Sequence, residues 1–475
     1  MKRNNAITIF LFLIMMSFQI ISSNVYYMDD IFRHVLWYSG WSGDGRPFAD
    51  IIYNIISFGN SIVDMHPMPL IGSIGFFSLT MYYYAKNNNI SLGYIYIVSC
   101  SVIIINPFFV SNLWFRFDGP FMVLSICFAI IPFCANIKNK LVQLFFSSFF
   151  ILLALGLYQT SINIFLGFIF IELIIKITNE KLSCSIKQFA YRLSSAIVAI
   201  LLYKFITSNI YPMNDYAAAY SKTIGLDYNG LRTLISNINI ALDGLNTALL
   251  SFWKYIIPCA IVALYVLIKK TCNHSKISLI MALVSVVSLF FLSFGVIIFS
   301  NNMVVYPRVY LGFGCFLFLL FLLVSQSKLK PYISYAIILV PYSIMSIYFF
   351  IESSSIKAEY IDKNELAQKL VYDISNNAEI NNKCIMIINY PKISKVAEMN
   401  LRAYPYSYNV LPKTFSPGYD GGRFLLMSNG LKDMRYQNES EEKEIKENIN
   451  KIKPTINNDT YELYGIGNCT AIKFK

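Results

Sequence analysis

The stretch 141–176 reads LVQLFFSSFFILLALGLYQTSINIFLGFIFIELIIK, and it decides the class of fold. It holds two apolar runs, 142–157 and 160–175, which are separated by the uncharged joint YQT at 158–160. A helix that crosses a bilayer needs about 20 predominantly apolar residues. The stretch therefore predicts two membrane helices that are joined by a tight hairpin.

The chain on either side of this hairpin repeats the pattern. Of its 475 residues, 56% are hydrophobic and 14% are charged, whereas roughly 25% are charged in a soluble domain. Apolar segments alternate with short polar joints up to about residue 350, and the remainder reads like a soluble protein. We predict an all-α polytopic membrane protein with about eleven transmembrane helices and a small C-terminal α/β domain. The predicted spans are 6–24, 67–85, 91–106, 119–135, 142–157, 160–175, 193–210, 253–268, 277–299, 309–325 and 332–351.

The distribution of basic residues predicts the orientation of these spans. Lysine and arginine are concentrated in every second joint, while the other joints carry aspartates. Basic joints face the cytoplasm, so Lys2 and Arg3 place the N-terminus inside. Eleven crossings then place the tail outside. The basic joints carry Lys86; Lys138 and Lys140; Lys176, Lys181, Lys187 and Arg192; Lys269, Lys270 and Lys276; and Lys328 and Lys330, with one acid, Glu180, among them.

This orientation predicts two domains. The first is a membrane domain, 1–351, with large outer loops at 25–66 and 211–251, and the second is an extracytoplasmic domain, 352–475. The segment 6–24 could also be a signal peptide, but its apolar run is long and favours an uncleaved anchor. Either reading leaves 25–66 outside.

Composition also excludes several classes of function. The net charge is +12, from 39 Lys and Arg against 27 Asp and Glu, but no basic face is interleaved with aromatics, so we predict no nucleic-acid partner. The cysteines show no metal-ligand spacing, and His34, His66 and His274 have no ligand-like companions, so we predict no metal site. Cys384 and Cys469, both in the tail, could pair in an oxidising compartment.

The absence of nucleotide motifs restricts the kind of substrate. The sequence contains no P-loop and no dinucleotide fingerprint, and the cytoplasmic joints are too short to build a nucleotide site. Any activated donor must therefore reach the protein through the membrane. A lipid-phosphate sugar satisfies that requirement.

An acidic pair, Asp29 and Asp30, follows the first span directly. A carboxylate at the membrane surface suits a general base that deprotonates a sugar hydroxyl. Aspartate is also favoured at helix starts, where it caps backbone N–H groups. The sequence leaves both readings open, and it does not distinguish the two residues.

Five further polar residues in outer joints are candidates for substrate binding. Arg46 follows the turn GDG, Arg116 and Asp118 lie in WFRFDGP, Gln159 lies in the hairpin, and Arg308 lies in YPRVY. A guanidinium can hold a phosphate with two hydrogen bonds, and an amide can bind a sugar. Each candidate also has a structural alternative. Arg46 could be a solvated arginine at the turn, and Arg116 and Asp118 could pair with each other. Gln159 could be a structural amide, and Arg308 could be a snorkelling anchor.

The tail reads as a mixed α/β domain. A helix is predicted at 363–378, a strand at 384–389, a solvated helix at 439–447 and a hairpin at 461–474.

Several of these segments recur in one order in a known family. The chain resembles the phage- and prophage-type O-antigen glucosyltransferases that convert bacterial serotype. The resemblance covers residues 26 to 315, about sixty per cent of the chain. The matching motifs are YYMDDIFRH at 26–34, GRPFAD at 45–50, HPMPL at 66–70, INPFFVSNLWFRFDGP at 105–120, LYQTSIN at 157–163 and YPRVYLGFG at 306–314.

The resemblance implies a GT-C-like glycosyltransferase of the bacterial inner membrane with a periplasmic C-terminal domain. The donor would be undecaprenyl-phosphate glucose, and the acceptor would be a lipid-linked O-antigen repeat. A flippase and a synthase that supply the donor would be partners, and no cofactor is expected. The family's catalytic aspartate falls on Asp29 or Asp30. An arginine, Arg46, Arg116 or Arg308, would then neutralise the leaving phosphate in an inverting displacement.

Two other readings remain. An O-antigen polymerase or ligase also places arginines in large outer loops, although a lipid-monophosphate sugar would not be its substrate. A flippase or transporter would show an inverted repeat with helices broken at the middle of the membrane. We find no repeat between the halves of the sequence, and the charges cluster on one side.

Overall fold

A computed structural model describes residues 4–59, 62–178, 182–249, 252–272, 275–303, 306–381, 384–432 and 434–475. Lys2, Arg3, Glu180, Lys181 and His274, which the sequence predictions used, lie outside the described residues. The chain divides into two compact units, and each is described by itself. The first comprises Met1–Ser22, Gly40–Asn60 and Met65–Phe350, and the second comprises Ser23–Ser39, Ser61–Asp64 and Ile351–Lys475.

Helices dominate the described chain, and a small sheet lies near its end. The helices are α1 (Asn4–Met16), α2 (Phe18–Ile21), α3 (Asp30–Leu36), α4 (Pro47–Ile56), α5 (Met68–Asn87), α6 (Tyr94–Ser101), α7 (Val110–Trp114), α8 (Gly119–Ile130), α9 (Lys140–Leu157), α10 (Ile162–Ile177), α11 (Leu182–Asn209), α12 (Asp215–Ser221), α13 (Tyr228–Leu249), α14 (Trp253–Cys272), α15 (Lys276–Phe291), α16 (Gly312–Ser325), α17 (Pro331–Ser375), α18 (Lys395–Ala403), α19 (Gly421–Ser428) and α20 (Glu439–Asn448). The strands are β1 (Cys384–Ile387), β2 (Arg435–Tyr436), β3 (Ile456–Asn457), β4 (Tyr461–Ile466) and β5 (Cys469–Phe474).

The first unit is helical and strongly apolar. Among the residues that the structure describes, five helical segments are long and apolar enough to cross a membrane. Shorter apolar helices accompany them, including α1, α15 and α16. The prediction of a helical body with several membrane-spanning helices is confirmed, and the number of eleven spans stays a prediction. The five segments are Lys140–Leu157, Gln159–Ile177, Leu182–Asn209, Trp253–Cys272 and Pro331–Ser375.

The hairpin predicted at 142–175 is present in the first unit. The Asn139 side chain caps α9 by accepting hydrogen bonds from the backbone N–H groups of Leu141 and Val142, at 3.0 and 3.3 Å. Such a cap satisfies N–H groups that have no partner inside the helix. The chain turns at Tyr158, passes through one 3₁₀ turn at Gln159–Ser161, and enters α10.

The predicted span 91–106 is not one continuous helix. Its regular part, α6, has only eight residues, and the chain leaves helical geometry before Pro107. The residue before a proline is disfavoured in helical conformation. The Asn106 side chain donates to the carbonyl oxygens of Val102 and Ile103, at 2.8 and 3.2 Å, and accepts from the Phe108 N–H at 2.9 Å. It thus satisfies buried backbone groups that an ended helix leaves open.

Near the boundary of the two units, one long helix replaces two predicted elements. We predicted a span at 332–351 and a separate helix at 363–378, whereas α17 runs without interruption for 45 residues. The connecting segment, 351–363, contains neither glycine nor proline. Since those are the strong helix breakers, nothing in the segment ends the helix.

The second unit contains the sheet, whose strand order is β2-β1-β5-β4-β3. Strand β1 is parallel to β2 and β5, and β4 and β5 form the predicted antiparallel hairpin. A hydrophobic core that includes Leu370, Ile385 and Ile472 packs α17 against the sheet. Cys384 and Cys469, which are register partners on β1 and β5, form a disulfide.

A segment from the first outer loop belongs to the same unit. Ile31 of α3 is part of the core that contains the sheet residues. Phe32 packs against Phe424 of α19, with ring centroids 4.9 Å apart. The acidic pair of the first loop is therefore held by residues close to the C-terminus.

Candidate functional site

In the first unit, a tight turn carries Arg46. The carbonyl oxygen of Trp41 accepts the N–H groups of Asp44 and Arg46, at 3.0 and 2.8 Å, and the Ser42 carbonyl accepts the Gly45 N–H at 3.0 Å. Gly45 has a φ of +75°, which is a left-handed conformation that glycine adopts without steric cost. The sequence GDGRP thus folds into the turn that its glycines and proline predicted.

Arg46 forms an ion pair with Asp118. The Arg46 Nη1 lies 2.6 Å from Asp118 Oδ1, and the Trp41 Nε1 donates to the same oxygen at 2.9 Å. Only 5% of the Asp118 side chain and 20% of the Arg46 side chain are exposed. The guanidinium also lies 5.2 Å from the centre of the Tyr158 ring. The sequence did not indicate this pair, and a mutual Arg116–Asp118 pair stays a prediction.

Gln159 and two residues that the sequence did not indicate fix the same turn. The Gln159 Nε2 donates to the carbonyl oxygens of Asp44 and Gly45, at 2.8 and 3.2 Å. The Tyr203 hydroxyl donates to the Gly45 carbonyl at 2.7 Å, and the Asn214 Nδ2 donates to Asp44 Oδ1 at 3.1 Å. These contacts favour the structural reading of the Gln159 amide.

Arg308 and Arg116 lie in aromatic surroundings of the same unit. The Arg308 guanidinium lies 5.5 Å from the Phe115 ring centre and 5.2 Å from the Tyr306 ring centre. Arg116 follows Phe115 directly, and both arginines are half-buried. Aromatic faces attract a guanidinium and remove part of its water. A guanidinium in such a place interacts more strongly with an incoming anion than one in bulk solvent does.

In the second unit, the structure distinguishes the two aspartates that the sequence could not separate. Asp30 is fully buried, begins α3, and accepts the Tyr27 N–H on Oδ2 at 3.1 Å. Asp29 is exposed, and its Oδ1 accepts the Tyr419 hydroxyl at 3.3 Å. Asp30 therefore has a structural role at the start of α3, whereas Asp29 is accessible to a substrate.

Tyr419 is a site residue that the sequence analysis missed. Burial raises the pKa of Tyr419 well above its usual value, and the nearby Asp29 carboxylate raises this pKa further. The phenol therefore stays protonated and can donate to Asp29. The Tyr419 carbonyl accepts the Tyr436 hydroxyl at 2.6 Å, which holds the segment in place. No motif in the tail indicated it.

The other residues around the acidic pair anchor the first-loop segment within the second unit. The Tyr27 hydroxyl donates to the Val410 carbonyl at 2.8 Å. Tyr26 stacks on His34, with centroids 4.1 Å apart, and its hydroxyl donates to Asp64 Oδ2 at 3.0 Å. The aromatic residues of YYMDDIFRH thus fix the backbone that presents Asp29.

One group in the second unit has the residue types of a metal site. Ligand-type atoms of Cys384, Cys469 and Glu441 lie within 4.8 Å of one another. The two cysteines form a disulfide, so they offer no thiolates to a metal. This group does not fit a metal centre, because its remaining ligand is a single carboxylate.

The predicted site residues thus fall into two sets. Arg46, Asp118 and Gln159 meet around one turn of the first unit. Arg116 and Arg308 belong to the same unit. Asp29 and Asp30 lie in the second unit. Tyr203 and Tyr419 could not be anticipated, because one lies in an apolar span and the other in a tail without motifs.

Comparisons with known proteins address the family directly. Residues 18–319 match the family described as Glucosyl transferase GtrII, and this range contains every predicted site residue. A protein of Salmonella phage P22, described as an uncharacterized 55.3 kDa protein in the gtrB 5' region, is 29% identical over 235 residues, which is 49% of this chain. The chain spans 48% of the length of that relative, about half. No solved structure matches the chain. Because the family match covers more than half of its residues, the chain belongs to the GtrII glucosyl transferase family.

Proposed function

We propose that this glycosyltransferase moves a glucosyl group from undecaprenyl-phosphate glucose to lipid-linked O-antigen repeat units. We further propose that the reaction takes place on the periplasmic side of the bacterial inner membrane. Membership of the family makes the chain a glucosyl-transferring enzyme. The donor, the acceptor, the side of the membrane and the roles of individual residues are our proposal.

The observation that carries the catalytic part of the proposal is the difference between the two aspartates. A general base must be reachable by the hydroxyl that it deprotonates. Asp29 is exposed, whereas Asp30 is fully buried and accepts a backbone N–H. We therefore assign the role of base to Asp29.

The reaction would be a single displacement at the anomeric carbon. The acceptor oxygen forms a bond to that carbon while the bond from the carbon to the phosphate oxygen breaks, which inverts the configuration. The Asp29 carboxylate takes the proton of the acceptor hydroxyl, and the lipid phosphate leaves with the bonding electron pair. Charge then develops on the phosphate, and a fixed guanidinium can stabilise it without a metal.

The ion pair at the turn bears on which arginine contacts the phosphate. The charge of Arg46 is compensated by Asp118 at 2.6 Å. Withdrawing Arg46 would break an ion pair in which only 5% of the Asp118 side chain is exposed, which is costly. We therefore assign to Arg46 a positioning role in the outer turn. We assign phosphate neutralisation to Arg308 or Arg116, which are half-buried in aromatic surroundings.

Two features support a periplasmic site and tail. Disulfides persist in oxidising compartments such as the periplasm, and Cys384 and Cys469 are paired in the second unit. In the first unit, Lys140 begins α9 and Gln159 follows its end. The basic joint and the candidate turn therefore lie at opposite ends of one apolar helix, as the positive-inside rule requires for an outer site.

The test is transfer by the purified full-length enzyme in detergent. Radiolabelled undecaprenyl-phosphate glucose and a lipid-linked O-antigen acceptor should give a labelled acceptor with an inverted anomeric linkage. Soluble nucleotide-glucose should not replace the lipid donor. Transfer from nucleotide-glucose alone would contradict the proposed donor, and joining of repeat units without the glucose donor would indicate a polymerase or ligase instead.

A further inference from the structure

A large polar cavity opens in the first unit at the end where α9 begins. Its volume is about 1000 Å³, and the ends of α5, α9, α10, α11, α14 and α16 surround it. The charged side chains among the described residues that line it are Lys140, Glu172, Lys176, Arg192 and Lys270. A cavity of this size is at the upper end of the range for small-molecule sites.

This cavity is distinct from the outer turn that carries Arg46. Lys140 lines the cavity and begins α9, while Gln159, which binds the turn, follows the last residue of that helix. The helix has 18 residues, so it separates the two places by roughly 27 Å. No residue of the proposed transfer reaction lines the cavity.

Glu172 is the one carboxylate among the described residues that line the cavity, and it is paired. The Arg192 Nε and Nη2 donate to the two Glu172 oxygens at 3.0 and 3.2 Å, and the Arg192 Nη1 donates to Ser147 Oγ at 2.9 Å. Arg192 is 2% exposed. The bidentate geometry pairs one cation with this anion, so the remaining formal charges on the described lining are the positive charges of the three lysines.

Two of these lysines are held by neutral partners. The Lys140 Nζ donates to Gln188 Oε1 at 2.7 Å and to Gln143 Oε1 at 3.2 Å, and both glutamines are buried. The Lys270 Nζ donates to the amide oxygen of Gln326. An amide oxygen fixes the position of an ammonium group without cancelling its charge. The cavity thus presents positioned cations, which is the arrangement that an anionic ligand requires.

The mouth of the cavity has an amphipathic character. Tyr94 and Tyr335 line it and are 85% and 50% exposed, and apolar Leu329 lies beside them. Exposed tyrosines at the ends of apolar helices are typical of the interface between membrane and water. Basic pockets between membrane helices on the cytoplasmic side are suited to anionic lipid head groups.

We propose that this cavity binds the phosphate group of an anionic phospholipid from the leaflet at the lysine-rich helix ends. The shared chemistry is a phosphate ester held by Lys140, Lys176 and Lys270, with the acyl chains leaving past Tyr94 and Tyr335. A soluble phosphate compound could supply the same phosphate group without acyl chains. The site is independent of the proposed donor and acceptor.

The experiment uses full-length protein that has been stripped of lipid in detergent, with native mass spectrometry as the readout. Wild type should retain phosphatidylglycerol in preference to phosphatidylcholine. Lys140→Gln, Lys176→Gln and Lys270→Gln combined should lower the affinity for phosphatidylglycerol by roughly a hundredfold, because each of the three lysines contributes about fivefold. Lys254→Gln, at the opposite end of α14, removes an exposed lysine outside the cavity and should bind like wild type.

Two further measurements complete the test. Glycerol 3-phosphate or inorganic phosphate that displaces the lipid would uphold the phosphate site and assign it a soluble source. A photoactivatable phosphatidylglycerol on wild-type protein should label 87–95 or 325–335, which needs no variant to fold. Equal binding of the two lipids by wild type, unchanged affinity in the triple variant, or labelling confined to other segments would overturn the proposal.

Discussion

Replacing Asp29 and Asp30 by asparagine, one at a time, should separate catalysis from stability. The two residues are adjacent, and each substitution keeps the size of the side chain while removing its charge. The structure predicts opposite outcomes because Asp29 is exposed and Asp30 is fully buried. Each variant is a matched control for the other, because the same substitution is made at two adjacent positions.

The magnitudes follow from the contacts of each carboxylate. Asp29 is exposed and accepts the Tyr419 hydroxyl at 3.3 Å, so the loss of its charge should change the free energy of unfolding by less than about 1 kcal/mol. A general base contributes roughly 10²–10⁴-fold to the rate, so Asp29→Asn should lower kcat by that factor. Asp30→Asn buries an amide where a carboxylate accepts the Tyr27 N–H, and it should destabilise the protein by about 1–3 kcal/mol.

The assay combines transfer from undecaprenyl-phosphate glucose with thermal unfolding in the same detergent. Asp29→Asn should melt like wild type and transfer glucose roughly 10²–10⁴-fold more slowly. Asp30→Asn should melt earlier, and its folded fraction should transfer glucose within roughly tenfold of the wild-type rate. Tyr419→Phe, which removes only the hydroxyl donor to Asp29, should retain the melting temperature. Full activity in Asp29→Asn together with loss of activity, at unchanged stability, in Asp30→Asn would refute the assignment of the base.

Three further predictions concern stability. Asp118→Asn removes the partner of Arg46 in a largely buried pair, so it should lower the free energy of unfolding by about 3 kcal/mol. The measurement is the melting temperature, compared with that of Asp44→Asn, a half-buried position in the same turn. Gly45→Ala should cost about 2–4 kcal/mol, because φ is +75° and the added Cβ would lie 2.7–2.8 Å from neighbouring side-chain atoms; a melting temperature like that of wild type would contradict the turn geometry. Cys384→Ser with Cys469→Ser removes the disulfide that links residues 85 positions apart. This double variant should lower the free energy of unfolding by about 2–4 kcal/mol. Thiol labelling of unreduced wild-type protein at these two cysteines would contradict the pairing.

The sequence predicted those parts of the fold that depend on local pattern. The hairpin at 158–160 follows from two apolar runs around an uncharged joint, and the strands of the terminal hairpin follow from alternating apolar residues. The break before Pro107 was visible only as an Asn-Pro pair, because the apolar run continues up to it. The continuation of α17 depends on the packing of its second half in the core, which a hydropathy pattern does not show.

The sequence predicted the residue types of the candidate site but not their pairings. Arg46 and Asp118 are separated by 72 positions, and Asp29 and Tyr419 by 390. Contacts over such separations depend on how the whole chain folds, and a single sequence contains no record of them. The local motif at 115–118 suggested a pair between the near neighbours Arg116 and Asp118, and nothing local indicated the distant Arg46–Asp118 pair.

The position of Asp30 gives a physical reason why two consecutive aspartates stand at this place. Consecutive helical residues point about 100° apart, so Asp29 and Asp30 face different directions. Asp30 accepts the Tyr27 N–H and is followed by Ile31 in the core, which fixes the start of α3. Asp29 lies on the exposed side, where the Tyr419 hydroxyl orients its carboxylate. The buried aspartate thus fixes the segment that presents the exposed one, which gives each member of the acidic pair its own role.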